Sequence, residues 1–338
     1  MRTRRVRSAA LLVAAVPLVL AAGCSSSGGA AANPPSVEKP NLTVAVVPAV
    51  DSAGFFIALY DGLFTAQGLH VTFVPATSSE TAISQQVEGN YDITGGNYVS
   101  YIQAQQANLA NLDIFAEGSV MEPGAQALYT MPGSPIRTLA DLKGRTVGIN
   151  APYNILYLLA ASVLSEHGIS PGDVNFIDKY PLPQMPAELK AGVINAAVLP
   201  EPFATIAEET DGAVPVADFN QGATTSFPVE GYVVTKLWAL KHPHTLAAFY
   251  RALEQGQRIA DTNRTAVEQA MEELPRTPVP LGVSKETAAL MSLDQYPFSS
   301  GPVGTVDKIR LQRVVDVMHQ FLGFPQDFNI NSMLLNGG

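Results

Sequence analysis

The chain has 338 residues, of which 47% are hydrophobic, enough for one or two ordinary cores. Its 30 acidic side chains outnumber 20 basic ones, and the formal charge of −10 argues against nucleic acid as a partner. A single cysteine excludes an intrachain disulfide, a thiolate metal cluster and a catalytic thiol within the fold.

The amino-terminal MRTRRVRSAALLVAAVPLVLAAGC has four arginines, a short apolar run from Ala9 to Ala22, and then small residues. This is the pattern of a secretory signal, and the apolar run is too short to span a bilayer. Leu20-Ala21-Ala22-Gly23-Cys24 resembles the bacterial lipoprotein box. That resemblance implies cleavage before Cys24, lipidation of that cysteine and attachment to the membrane. An ordinary signal cleaved nearby is the alternative. Residues 1–23 are therefore read as signal peptide. Residues 24–40, small, polar and Pro-rich, are read as a flexible tether.

From Leu42 onward, short apolar strands alternate with helical patterns. LTVAVVP is a strand, AGFFIALYDGLFTAQG a helix closed by Gly68, and LHVTFVPA a strand. SSETAISQQVEG is a helix capped by Ser78 or Ser79, followed by strand YDITGG, helix NYVSYIQAQQAN and strand LDIFAEGS. A second set repeats the rhythm: strand ALYTM, the short capped helix TLADLKG, strand RTVGIN, helix PYNILYLLAASVLSEHG, strand VNFI, helix LPQMPAELKAG, strand NAAVLP, helix FATIAEET and strand VPVADF. After residue 225 comes one more strand, EGYVVTK, and then helices expected over 244–263, 265–274, 285–293 and 306–321. Repeated βα units predict an α/β fold of open parallel sheets with helices on both faces.

Ligands of open α/β sheets bind beyond the carboxyl ends of the strands. The residues there are small, hydroxyl- or amide-bearing, or acidic: Asp51 and Ser52; Ser78, Ser79 and Glu80; Gly95, Gly96 and Asn97; Asn150, Tyr153 and Asn154; and Glu201 between two prolines. Such a set suits a polar pocket contacted through side chains, backbone N–H groups and helix amino termini. Asn97 and Asn154 are equally suited to cap a helix.

Several stretches together, AGFFIALYDGLFTAQGLHV, SSETAISQQVEGNYDITGG, DLKGRTVG and GVINAAVLPEP, resemble the solute-binding proteins of ABC importers. The group they resemble is the nitrate, sulfonate, taurine and thiamine-pyrimidine one, with the periplasmic-binding-protein type II fold. The resemblance implies two Rossmann-like lobes that close on a ligand about a hinge. The expected first lobe is 41–125 plus 226–338, and the second 126–225, with crossings near residues 122–126 and 227–231. It also implies a permease and an ATPase as partners, a lipid anchor at Cys24 on the extracytoplasmic face, a monomeric state and no cofactor.

Charge narrows the solute. No Lys or Arg lies between Pro40 and Ile136, whereas Asp51, Glu80 and several other acids do. Glu201 and Glu230 add carboxylates from the second lobe and the returning crossing. A neutral or cationic solute that donates hydrogen bonds is expected, such as a nitrogen heterocycle of the thiamine-pyrimidine kind. Phe55, Tyr153 and Phe227 are candidates to stack on it, while Phe56 and Tyr157 fall in core stripes. Sulfonate, taurine or nitrate, held by helix amino termini, is the alternative. Glu201 has two readings, ligand contact or cap of the helix that follows.

An enzyme is the competing class. The five histidines avoid the strand-end loops, and G-x-S-x-G, P-loop and H-E-x-x-H motifs are absent. A carboxylate pair such as Glu201 and Glu230 would be needed for acid–base chemistry. Thiamine-pyrimidine-forming relatives of this fold rely on a cysteine-rich segment, which a chain with one cysteine lacks. A binding protein is expected, with no metal. A surface interaction protein is the other alternative.

Overall fold

The βα rhythm is built twice in the computed structural model, which describes residues 36–274 and 306–335. The first set is β1 (Asn41–Val46), a 3-10 turn at Val50–Ser52, α1 (Ala53–Tyr60), α2 (Leu63–Ala66), β2 (His70–Pro75), α3 (Ser79–Val87), β3 (Ile93–Asn97), α4 (Tyr98–Gln106) and β4 (Leu112–Val120). The second is β5 (Gln126–Thr130), a 3-10 turn at Leu139–Leu142, β6 (Thr146–Gly148), α5 (Ile155–Glu166), β7 (Asn175–Ile177), α6 (Met185–Lys190), β8 (Ala196–Pro200), α7 (Phe203–Asp211) and β9 (Val214–Asp218). Then come β10 (Pro228–Thr235), α8 (Lys236–Lys241), α9 (Pro243–Thr262), α10 (Arg264–Glu272) and α11 (Lys308–Leu322). The helix expected over 285–293, like the signal and Cys24, lies outside the described residues.

Each set makes its own sheet, in the orders β2-β1-β3-β10-β4 and β7-β6-β8-β5-β9. The expectation of purely parallel sheets needs correction. Strand β10 runs antiparallel to both β3 and β4, and β5 runs antiparallel to both β8 and β9. The reason is connectivity. Strands β5 and β10 are the first strands after each crossing, so each enters its sheet from the cleft side, against the direction of its neighbours. Elsewhere pairing is parallel, as βα units require.

The core follows from strands buried on both faces. Helix α1 is apolar nearly all round and is buried beneath α9. Gly54 and Gly256 let those two helices touch: a Cβ on Gly256 would sit 2.1 Å from the Gly54 carbonyl oxygen. Helices α9 and α10 pack on the first lobe, and α11 contacts α4, α5 and β10, elements of both lobes. From α11 the Arg313 guanidinium donates to the carbonyls of Ala223 at 2.9 Å and Ser226 at 3.2 Å, which holds the returning segment. The two crossings are tied to each other where the Met121 amide donates to the Phe227 carbonyl at 2.7 Å.

Candidate ligand-binding site

Parallel strands β1, β3, β6 and β8 point their carboxyl ends at the same interlobe space. A cavity of about 40 Å³ remains there, room for a few waters. Its polar lining is Asp51, Ser79, Asn97, Gln126, Asn150 and Glu230, and its apolar walls include Val47, Ile155, Leu156, Leu182 and Val229. Of the expected residues, the structure thus brings Asp51, Ser79, Gly96, Asn97, Asn150 and Glu230 together.

The first lobe supplies the charged part. The turn after β1 buries Asp51 and Ser52, and the Ser119 hydroxyl donates to Asp51 Oδ1 at 2.8 Å. The Ser52 hydroxyl donates to Glu230 Oε1. Burial, and after it the Asp51 charge, push the Glu230 carboxyl well above the ordinary carboxylate range; hydrogen bonds from Ser52 and Tyr232 oppose this only in part.

Around this pair the amides and hydroxyls are spoken for by helix ends. Ser78 caps α3 by accepting from the Thr81 amide at 3.3 Å. Ser79 Oγ accepts from the Asn97 amide at 3.0 Å and Asn97 Nδ2 at 2.9 Å. Asn97 Oδ1 in turn caps α4 through the Ser100 amide at 2.9 Å. Asn154 caps α5 and donates to Asn150 Oδ1 at 2.7 Å. Both asparagine readings are thereby placed: Asn97 caps and lines the cavity, and Asn154 caps from behind Asn150. A Cβ on Gly96 would lie 2.3 Å from Ser79 Oγ, and one on Gly95 2.6 Å from the Tyr232 ring. These glycines admit neighbouring side chains, and Gly95 does not line the cavity.

Other expected residues stand elsewhere. Phe55 is buried in an aromatic cluster, 5.4 Å from Phe56 and 5.6 Å from Phe64, because α1 turns it into the first lobe's core. Phe227 is buried beneath Arg313, whose guanidinium lies 5.8 Å from its ring centroid. Tyr153 is 61% exposed and packs edge-on against Tyr157 at 5.0 Å. No aromatic side chain lines the cavity among the described residues. Glu80 accepts from the Ser100 hydroxyl and lines a separate groove between α3 and α4.

Glu201 is only 2% exposed and does not line the cavity; its neighbour Pro200 does. Its carboxylate accepts from the Thr205 amide at 3.2 Å and the Thr205 hydroxyl at 2.9 Å, closing the first turn of α7. Its carbonyl accepts from the Val50 amide of the first lobe at 3.0 Å. The Glu201–Pro202 bond is cis. The acid between two prolines is thus a cap and an interlobe tie. A second tie runs from Gln103 Nε2 to the Tyr153 carbonyl at 2.8 Å.

Gln126 is a cavity-lining residue that sequence reasoning missed. It heads β5, is 2% exposed, lines the cavity, and its Oε1 has no hydrogen-bond partner among the described residues. The signal was an amide opening an otherwise apolar strand at a crossing. Asp51 and Gln126 Oε1 offer acceptors to a ligand. No Lys or Arg is among the lining residues, and no three His, Cys, Asp or Glu converge as a metal-holding group among the described residues.

The fold has known counterparts. The alkanesulfonate-binding protein SsuA of Xanthomonas axonopodis pv. citri, solved with MOPS, superposes with a TM-score of 0.69 at 18% identity over 86% of this chain and 96% of that one. The periplasmic nitrate-binding protein NrtA of Synechocystis gives 0.73 at 15% identity over 88% and 85%. A ligand-binding component of an ABC-type import system from Staphylococcus aureus, with zinc bound, gives 0.73 at 14% identity over 88% and 97%. In sequence, the bicarbonate transport ATP-binding protein CmpC of Synechocystis is 26% identical over 234 residues, 64% of this chain; the match spans 34% of that relative's length. The solved counterparts share the two-lobe periplasmic-binding architecture. The model of the NMT1-like family matches residues 36–274, which hold both sheets and every residue of the interlobe cavity, and the chain belongs to that family.

Proposed function

We propose that this protein is the extracytoplasmic, lipid-anchored solute-binding component of an ABC importer, and a binder rather than a catalyst. It captures a small solute between its lobes as a monomer and presents the closed form to a permease driven by an ATPase. Closure is favoured by whatever free energy the solute gains in the closed state over the open one. The solved counterparts named for alkanesulfonate, nitrate and ABC import, and the resemblance of the amino terminus to a lipoprotein signal, support this reading.

The observation that carries the choice of solute is the buried, unpartnered Gln126 Oε1 beside the Asp51 carboxylate, on a cavity lined by no cation. An acceptor left unmatched in a buried site costs about 1–3 kcal/mol, so a solute bearing N–H or O–H groups gains by filling it. The solute is therefore neutral or cationic, rich in donors and compact, the size of urea, guanidine or a short alkylamine. An aminopyrimidine carries the right donors, without a ring to stack on. A second reading, a sulfonate- or nitrate-like anion, draws on the amino termini of α3, α4 and α5, which open beside the cavity.

Thermal shift of residues 36–338 against urea, guanidine, alkylamines, aminopyrimidines, taurine, alkanesulfonates, nitrate and bicarbonate tests the reading. A saturating donor-rich solute raises the melting temperature, and Asp51→Asn removes the shift. A shift confined to the anions, and kept or enlarged in Asp51→Asn, overturns the acidic-pocket reading in favour of the second.

A further inference from the structure

Strand direction defines a floor to the first lobe, opposite the cleft. The amino end of β1, the carboxyl end of antiparallel β10, the last turn of α3 and the turn between α4 and β4 all meet there. On that floor Val87, Leu109 and Leu237 line one shallow depression. Leu109 is 70% exposed and Leu237 61%; Leu240, one turn further along α8, is 80% exposed. Lys241 follows, also exposed. Large side chains clustered in this way mark a contact surface rather than the scattered apolar residues every protein shows.

The described chain begins on this same face. Glu38 accepts from the amides of His244 at 3.0 Å and Thr245 at 2.8 Å in the first turn of α9. Lys39 and the Trp238 indole of α8 share the Asp92 carboxylate. Cys24 precedes Ser36 by 12 residues. A contour of that length reaches at most about 43 Å.

We propose that this floor rests on the bilayer to which Cys24 is tethered, with Leu237 and Leu240 lodged among the lipid headgroups. The short tether keeps this face, more than the cleft at the far end, near the anchor. Without the four arginines of residues 1–23 the net charge is −14, which gives the rest of the surface little attraction to an anionic membrane, so the apolar floor with Lys241 is the surface suited to it. In that resting state the cleft opens into the medium where solute is captured, and delivery to the permease requires the floor to leave the bilayer and the cleft to turn towards it. The proposal builds on the lipid-anchor reading, and the test supplies that anchor chemically so the two can fail separately.

Trp238 is the only tryptophan, lies on α8 and is partly exposed, so its fluorescence reports on the floor. Residues from Ser36 onward form a compact unit of their own, so a chain starting at Cys24 keeps the fold. That chain, coupled through its single cysteine to a maleimide lipid, is placed on phosphatidylcholine–phosphatidylglycerol vesicles with or without acyl chains brominated near the headgroup. Trp238 emission is expected to fall about twofold on the brominated vesicles, with the fall lost in Leu237→Glu/Leu240→Glu at an unchanged melting temperature. Equal quenching in that variant, or no quenching in the parent chain, overturns the proposal. So does a concentration-dependent dimer of the untethered chain that the same variant abolishes, which assigns the face to a second copy. Mass analysis of the cell-made protein for acyl chains on Cys24 reports separately on the anchor.

Discussion

Asp51 and Glu230 line one cavity, and burial, with the charge of the first added to it, raises the carboxyl pKa of the second well above its ordinary range. A raised carboxyl pKa has a definite sign in the folding balance. Its stabilising contribution is complete below the unfolded value of 4.5 and is lost as pH rises towards the folded value. The slope in that window is about 1.4 kcal/mol per pH unit. Glu230→Gln is expected to flatten the decline of melting temperature above pH 4.5 that the parent shows, as read by calorimetry across a pH series. An identical decline in both proteins would place the titrating group elsewhere.

Gln126 should separate stability from binding. Its Oε1 is buried without a partner, so Gln126→Met removes a polar cost while keeping the volume. Stability is expected to hold or rise by about 1 kcal/mol, while affinity for the captured solute falls about tenfold or more. Paired denaturation and calorimetric titration check this; a loss of stability with unchanged affinity would make Gln126 a structural residue.

Glu201 is expected to behave in the opposite way. Glu201→Ala strips the cap from α7 and leaves the Thr205 hydroxyl without its acceptor. The cost is about 1–2 kcal/mol of stability, and solute affinity should change less than about threefold. A large affinity loss at unchanged stability would restore Glu201 to the binding site.

Much of this was legible beforehand because it is local chemistry. Hydroxyl and amide residues followed by an amphipathic run announce a helix start, and Ser78, Asn97 and Asn154 are each observed as caps. Apolar strands ending in polar loops placed Asp51, Ser79 and Asn150 at the cavity. What escaped depends on rotation and on distant partners. Phe55 and Ser52 are neighbours at one strand end, yet three residues of helix turn Phe55 into the core while Ser52 reaches Glu230. The antiparallel placement of β5 and β10 is set by where the chain crosses between lobes, which no local pattern records. Gln126 fell in the expected crossing at 122–126, just before the strand expected from Ala127, and its place at the head of β5 on the cavity depends on how the chain crosses between lobes.

Gly256 offers a test of the first lobe's assembly. A methyl group there meets the Gly54 carbonyl at 2.1 Å, a backbone atom that cannot rotate away. Gly256→Ala should force α9 off α1 and cost about 1–3 kcal/mol despite alanine's better helix propensity. A melting temperature equal to or above the parent's would show that the helices slide apart without penalty.

The strand orders carry a consequence for synthesis. All five strands of the second sheet lie within residues 126–218, so that sheet is complete once this stretch has left the ribosome. The first sheet is not: β4 meets β3 only through β10, which is made later. The lobe whose first strand is made first is therefore the one finished last, and until β10 arrives its apolar β3 and β4 edges wait open. Aggregation risk should concentrate in that interval, and chains truncated before and after residue 235 would differ in protease resistance of the first lobe but not of the second.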